Sequence, residues 1–123
     1  MRTSPKPKRR QHGKLVRDGV PAKIKKTGAK VSARRMRRNE FRKELLRKLG
    51  EESREVAGAA KKRGPVRRGA LAEELGDVLE VVRAIAAEFG IDWKQVKNAR
   101  AAKANTFGAF RQKIFLEWTE EIA

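Results

Sequence analysis

Apolar positions along the chain fall into three runs at helical spacing. In residues 40–62 the apolar residues Phe41, Leu45, Leu49, Val56 and Ala59 recur on one helical face. Asn39 stands before them where an N-cap belongs. Gly64-Pro65 interrupts the pattern. A second helix is expected to begin at Val66 or Ala70 and end at Phe89, with the stripe Leu71, Leu75, Val78, Val82, Ile85 and Phe89, and with Gly90 as its C′ residue. Asp92 then caps a third helix, expected from Trp93 to about Ala104, and Gln95 stands where a capping box requires it.

The flanks are less periodic. KLVRDGVPAKIKK mixes single apolar positions with the turn signal Asp18-Gly19 and with Pro21, which suits a first helical turn. It is expected to form a short extended piece and a short helix. Residues 28–38 are basic, weakly patterned, and read as a loop. Residues 106–108 read as a turn. The closing stretch AFRQKIFLEW alternates imperfectly and fits either strand or helix, with Phe115 and Trp118 packing it.

The Gly-Pro connection between the first two strong helices is short, so they should be antiparallel neighbours in an all-α bundle. Trp93 is expected to anchor the third helix in the core. The opening MRTSPKPKRRQH offers almost nothing apolar to bury, so residues 1–13 read as a basic disordered tail and 14–123 as the folded domain. So small a domain buries a limited share of its surface. The small faces at Ala57, Ala60, Ala84 and Ala87 would permit close helix approach within or between copies, so a homodimer or homotetramer is expected.

Charge narrows the class of partner. Lys and Arg number 32 against 15 Asp and Glu, a net charge of +17. That excess calls for an anionic substrate or partner: nucleotide, nucleic acid or acidic lipid. With no cysteine, disulfide scaffolds and thiolate metal sites are excluded. No apolar run approaches membrane-spanning length, and no apolar stretch follows the basic start, so neither a membrane span nor a secretory signal is expected. The reading is a cytoplasmic protein.

Four acids depart from the solvated pattern of the others. Leu45, Leu49, Glu52, Val56 and Ala59 keep one helical rhythm, which places Glu52 inside the apolar stripe, and Glu55 shares its edge. On the second helix, Leu71, Glu74, Val78, Val81 and Ile85 repeat that rhythm, and Asp77 follows Glu74 by one turn. Carboxylates on the facing edges of two adjacent helices repel one another and lose water. A hard divalent cation resolves both costs, because magnesium takes oxygen ligands and commonly bridges protein carboxylates to phosphates. Glu44, Glu51 and Arg54, by contrast, fit ordinary surface charges, and the sole histidine, His12, lies in the tail.

With these acids in place, the chain resembles a known family. Glu51-Glu52-Ser53-Arg54-Glu55 followed by Glu73-Glu74-Leu75-Gly76-Asp77 resembles the E-x-x-E…E-x-x-D signature of the MazG-like all-α nucleoside triphosphate pyrophosphohydrolases. KLVRDGVPAKI is similar to the opening of that family's small single-domain branch, and GAFRQKIFLEW to its ending. The resemblance implies a MazG-like antiparallel helix bundle that assembles as dimers or tetramers. It also implies cleavage of the α–β phosphoanhydride to a nucleoside monophosphate and pyrophosphate. Carried over, Glu52, Glu55, Glu74 and Asp77 match the metal ligands, with magnesium as the cofactor and manganese as its substitute. The related phosphoribosyl-ATP pyrophosphohydrolases of histidine biosynthesis use the same carboxylates and are a second reading of the substrate. The chain departs from the family at Phe107, where a basic residue is common.

Water attack on phosphorus needs a base, for which Glu51 and Glu55 are the candidates. A leaving pyrophosphate needs cations, and Lys14, Arg17, Lys97, Arg100 and Lys103 are the candidates, the last three spaced along one face of the third helix. The competing reading is a basic nucleic-acid-binding protein on an inactive scaffold, contacting its partner through the tail and the Arg-rich segment 34–38. Four inward acids have no place in that reading.

Overall fold

The computed structural model describes residues 8–122, so the first seven residues of the expected tail lie outside the described residues. Four helices follow in order: α1 (Val20–Lys26), α2 (Arg38–Ala60), α3 (Gly64–Glu88) and α4 (Trp93–Phe107), with no strand among the described residues. The chain divides into two compact units, Met1–Ile85 and Ala86–Ala123.

In the first unit, Leu15 and Val16 are half-buried in an irregular stretch that leads into α1. A proline occupies the first turn of α1, where its missing N–H breaks no bond. Residues 29–36 are irregular, as their weak pattern implied. Arg34 closes this loop onto α2 by donating to both carboxylate oxygens of Glu40, at 2.6 and 2.9 Å. Helix α2 starts earlier than expected. Arg37 takes the extended N-cap conformation with no side-chain cap, and Asn39 lies inside the first turn. Glu40 in that turn complements the helix dipole and receives Arg34, so a side-chain cap is dispensable.

Only a tight turn separates α2 from α3. Lys61 and Lys62 donate backbone hydrogen bonds to Gly58 and Ala59, and Gly64 takes φ +64. With positive φ available at Gly64, the chain reverses at once, and α3 begins there rather than at Val66 or Ala70. The buried apolar side chains of this unit are Leu45, Ala59 and Val81, flanked by half-buried Leu49, Val56, Leu71, Val78, Val82 and Ile85. Leu75, placed in the core stripe by its spacing, is instead 56 % exposed, because the buried face of α3 centres one residue away, on Glu74, Asp77, Val78 and Val81.

In the second unit, α3 ends as its sequence indicated. Gly90 sits at φ +69, Ile91 donates to the carbonyl of Ala86, and Gly90 donates to that of Ala87. These are the two bonds of a Schellman motif. The capping box of α4 is complete. Asp92 Oδ1 accepts from the backbone of Lys94, and Gln95 Oε1 accepts from the Asp92 backbone. Trp93 is half-buried. Helix α4 runs through Thr106 and Phe107, so the expected turn there is the last turn of helix, closed by Gly108 at φ +85. Residues 109–122 form neither strand nor helix. Phe115 and Trp118 do not pack this segment; both are exposed.

Candidate active site

The α2–α3 hairpin brings the inward acids together. Glu52 lies eight residues before the end of α2, and Glu74 lies ten residues after the start of α3. At 1.5 Å per residue both stand roughly 12–15 Å from the turn, on facing stripes. The carboxylate oxygens of Glu52, Glu74 and Asp77 lie within 4.8 Å of one another. Glu52 is buried, while Glu74 and Asp77 are half-buried. Glu55, one turn beyond Glu52, is exposed and is not part of this group of three.

The electrostatics match the crowding. Partial burial, followed by the charges of Asp77, Glu52, Glu55 and Glu73, raises Glu74 above its ordinary carboxylate value. Glu55 thus acts on the cluster through its field, from outside the group of three. Two cations offset part of the charge. Lys48 Nζ lies 3.6 Å from Glu52 and 3.4 Å from Glu51, one turn back on the same helix. Arg17, from the stretch before α1, donates to Asp77 Oδ1 at 2.7 Å. Lys48 was not among the site residues inferred from sequence. Its spacing of four residues from Glu52 was the available signal, and it is indistinguishable from an ordinary surface pair.

Three hard oxygen donors from facing helices are a donor set for a hard divalent cation. The cluster also resists holding all its charges without one, so the residues present fit the metal that the resemblance implies. Of the other candidates, Glu51 is engaged by Lys48, and Lys14 is exposed. Lys97, Arg100 and Lys103 line the exposed side of α4 in the second unit. A hollow of about 260 Å³, lined by Phe107, Gly108, Ala109, Arg111, Gln112 and Ile114, belongs to the C-terminal segment and involves none of the acids.

Comparison with known proteins gives the family. No curated protein and no solved structure matches the chain significantly. The family model for phosphoribosyl-ATP pyrophosphohydrolase matches residues 14–104, a span that holds Arg17, Lys48, the acid cluster and nearly all of α4. The chain therefore belongs to the phosphoribosyl-ATP pyrophosphohydrolase family of MazG-like all-α proteins, hydrolases that act on acid anhydrides.

Proposed function

We propose that this chain hydrolyses a nucleoside triphosphate, or a related nucleotide, at the α–β phosphoanhydride, releasing a nucleoside monophosphate and pyrophosphate. The observation that carries the reading is the convergence of Glu52, Glu74 and Asp77 within 4.8 Å. These three, with Glu55 completing the set as substrate enters, would hold magnesium, for which manganese can substitute. When bound, the ion supplies charge neutralisation at the phosphates and an acidified water.

The chain's own residues do the rest. Glu52, fixed by burial and by Lys48, holds its carboxylate in one orientation. Glu55, exposed beside the cluster, is better placed than Glu51 to accept a proton from the attacking water, because Lys48 engages Glu51. Arg17 stands at the rim on Asp77 and can turn to a phosphate. Lys14, in the same unit as the acids, is a further phosphate contact under this reading, whereas Lys97, Arg100 and Lys103 belong to the second unit. A nucleotide panel with magnesium, scoring pyrophosphate against orthophosphate, tests the proposal. Pyrophosphate from at least one triphosphate is expected, and orthophosphate alone would sink it. Including phosphoribosyl-ATP decides whether this chain shares the substrate for which its family is named.

Arg17 yields a separate expectation. With side-chain exposures of 60 % and 40 %, the Arg17–Asp77 pair is a surface ion pair. Such pairs contribute up to about 1 kcal/mol, so Arg17→Gln should tighten magnesium binding by at most about fivefold. The same variant should raise KM for the nucleotide. Calorimetric titration without nucleotide reads the first effect and steady-state kinetics the second. Weaker magnesium binding in the variant would show that Arg17 orders the site rather than competing for it.

The charge of +17 supports a second reading, contact with nucleic acid through the tail and residues 34–38. Arg34 is already engaged by Glu40, which leaves less of that cluster for phosphates. Salt-sensitive DNA or RNA binding that disappears on removal of residues 1–13, together with silence in the nucleotide panel, would favour this reading. Among the described residues no helix is long and apolar enough to cross a membrane. The small core supports assembly as a homodimer or homotetramer.

A further inference from the structure

The tip of the α2–α3 hairpin concentrates one sign of charge. The two helices with their turn, residues 38–88, carry twelve cations and ten acids. Five of those cations, Lys61, Lys62, Arg63, Arg67 and Arg68, fall within residues 57–72, and none of the acids does. The shank of the hairpin therefore holds an excess of acids, while its tip is wholly basic. All five side chains are exposed. Among the described residues, those of Lys61, Lys62, Arg63 and Arg68 make no hydrogen bond or ion pair. Arg67 crosses the turn, donating from Nε to the Lys62 carbonyl at 2.6 Å, which joins the cations of both helices in one face. The nearest acids in sequence, Glu55 and Glu73, lie roughly 7–9 Å along their helices from Lys61 and Arg68, about one Debye length at physiological salt. Local electrostatics opposes this arrangement. The first turn of α3 has no acid, and Arg67 and Arg68 stand at the end where the helix dipole favours carboxylates. Chains break local rules of this kind chiefly at functional sites. We propose that the hairpin tip is a docking surface for the phosphate backbone of duplex nucleic acid.

The chemistry of the tip selects this partner. Three of its five cations are arginines, whose planar guanidinium groups match pairs of phosphate oxygens. No aromatic residue lies between Phe41 and Phe89, so the tip offers no platform for unstacked bases, on which single-strand binding depends. Residues 57–72 also contain no Asn, Gln, Ser or Thr to read base edges, which leaves phosphate contact as the main mode. An acidic lipid surface attracts cations too, but binding in a membrane interface adds apolar burial. At the tip only Val66 is a large apolar side chain exposed to supply it. The acidic shank repels nucleic acid, so a duplex held at the tip stays clear of Glu52, Glu74 and Asp77. The surface is distinct from the Arg-rich segment 34–38, which adjoins the other end of α2. The 23 residues of that helix put about 34 Å between its two ends.

Duplex docking at the tip is independent of the enzymatic reading. The test is fluorescence anisotropy of the full chain with a labelled DNA duplex of mixed sequence, over a salt series. The wild type is expected to bind with a steep salt dependence. Lys61→Gln/Lys62→Gln/Arg63→Gln/Arg68→Gln, which keeps the Arg67 contact, should weaken binding by on the order of a hundredfold at low salt. It should also flatten the slope of log affinity against log salt by about three. Helical circular dichroism should persist, because the change relieves repulsion. Should the helices be lost, Arg63→Gln/Arg68→Gln should flatten the slope by about half as much. Lys23→Gln/Lys25→Gln/Lys26→Gln/Lys30→Gln removes the same charge from four exposed lysines in and after α1, and should weaken binding by about threefold at most. Equal losses from the two quadruple variants would show that net charge alone matters, and would overturn the tip. A wild type that does not bind the duplex overturns it as well. So does binding that removal of residues 1–13 abolishes while the tip variant binds like wild type. Preference for single strands over the duplex, or attachment to anionic lipid vesicles through the tip in place of the duplex, overturns the choice of partner.

Discussion

Replacing Glu52 or Asp77 with alanine should lower magnesium-dependent pyrophosphate release by on the order of a thousandfold, the scale seen when one preorganised electrostatic partner of a transition state is lost. The fold should survive both changes. Glu52 is buried, so its removal would matter structurally if it left a cation stranded, but Lys48 keeps Glu51 at 3.4 Å. Asp77 pairs with the exposed guanidinium of Arg17, which water can solvate. Glu40→Ala is the matched control, since it removes an acid of the same helix that binds Arg34 far from the cluster. Helical circular dichroism separates a dead site from a lost fold. If Glu52→Ala retains activity within about tenfold of wild type while Glu40→Ala behaves identically, the hydrolysis does not run through these carboxylates.

What could be read in advance depended on how local the determining interaction was. The capping box at Asp92 and Gln95 and the Schellman closure at Gly90 involve residues within one turn, and both are present. The acid cluster is a longer-range feature, yet it was legible because two helical periods and one short turn determine which faces meet. The start of α2 was not legible, because Arg34, from the preceding loop, satisfies the helix N-terminus through Glu40 in place of a cap at Asn39. Neither was the target of Arg17, sixty residues from Asp77, since nothing in a period or a spacing encodes that contact. The segment 109–118 failed for a different reason. Its alternation of apolar and polar residues presupposes a surface to pack on, and the exposure of Phe110, Phe115 and Trp118 shows that they are not packed.

Glu74 connects stability, metal and pH, and Glu74→Gln should invert the order of stability when magnesium is added. Its carboxyl is raised above the ordinary value by partial burial and by Asp77, Glu52, Glu55 and Glu73. A carboxyl with a raised folded-state value holds its proton more tightly in the native than in the unfolded chain. Its ionisation therefore costs the native state nothing below the unfolded value. The cost grows as pH rises toward the folded value and is complete above it. Metal-free Glu74→Gln should thus melt higher than wild type at neutral pH, and this advantage should vanish on acidification below the ordinary carboxylate range. Magnesium reverses the comparison, because it binds the native acids and not the unfolded chain. At a concentration a hundredfold above its dissociation constant, the ion should raise the wild-type melting temperature by on the order of 10 °C. Glu74→Gln, lacking one ligand and the charge that draws the ion, should gain far less. Acid should also weaken magnesium binding to the wild type, since a protonated Glu74 cannot coordinate. Melts of both proteins with and without magnesium, at neutral and at acidic pH, read all three effects. Should Glu74→Gln melt below the wild type without metal, and should magnesium move both proteins equally, the cluster would be a structural charge network and not a metal centre.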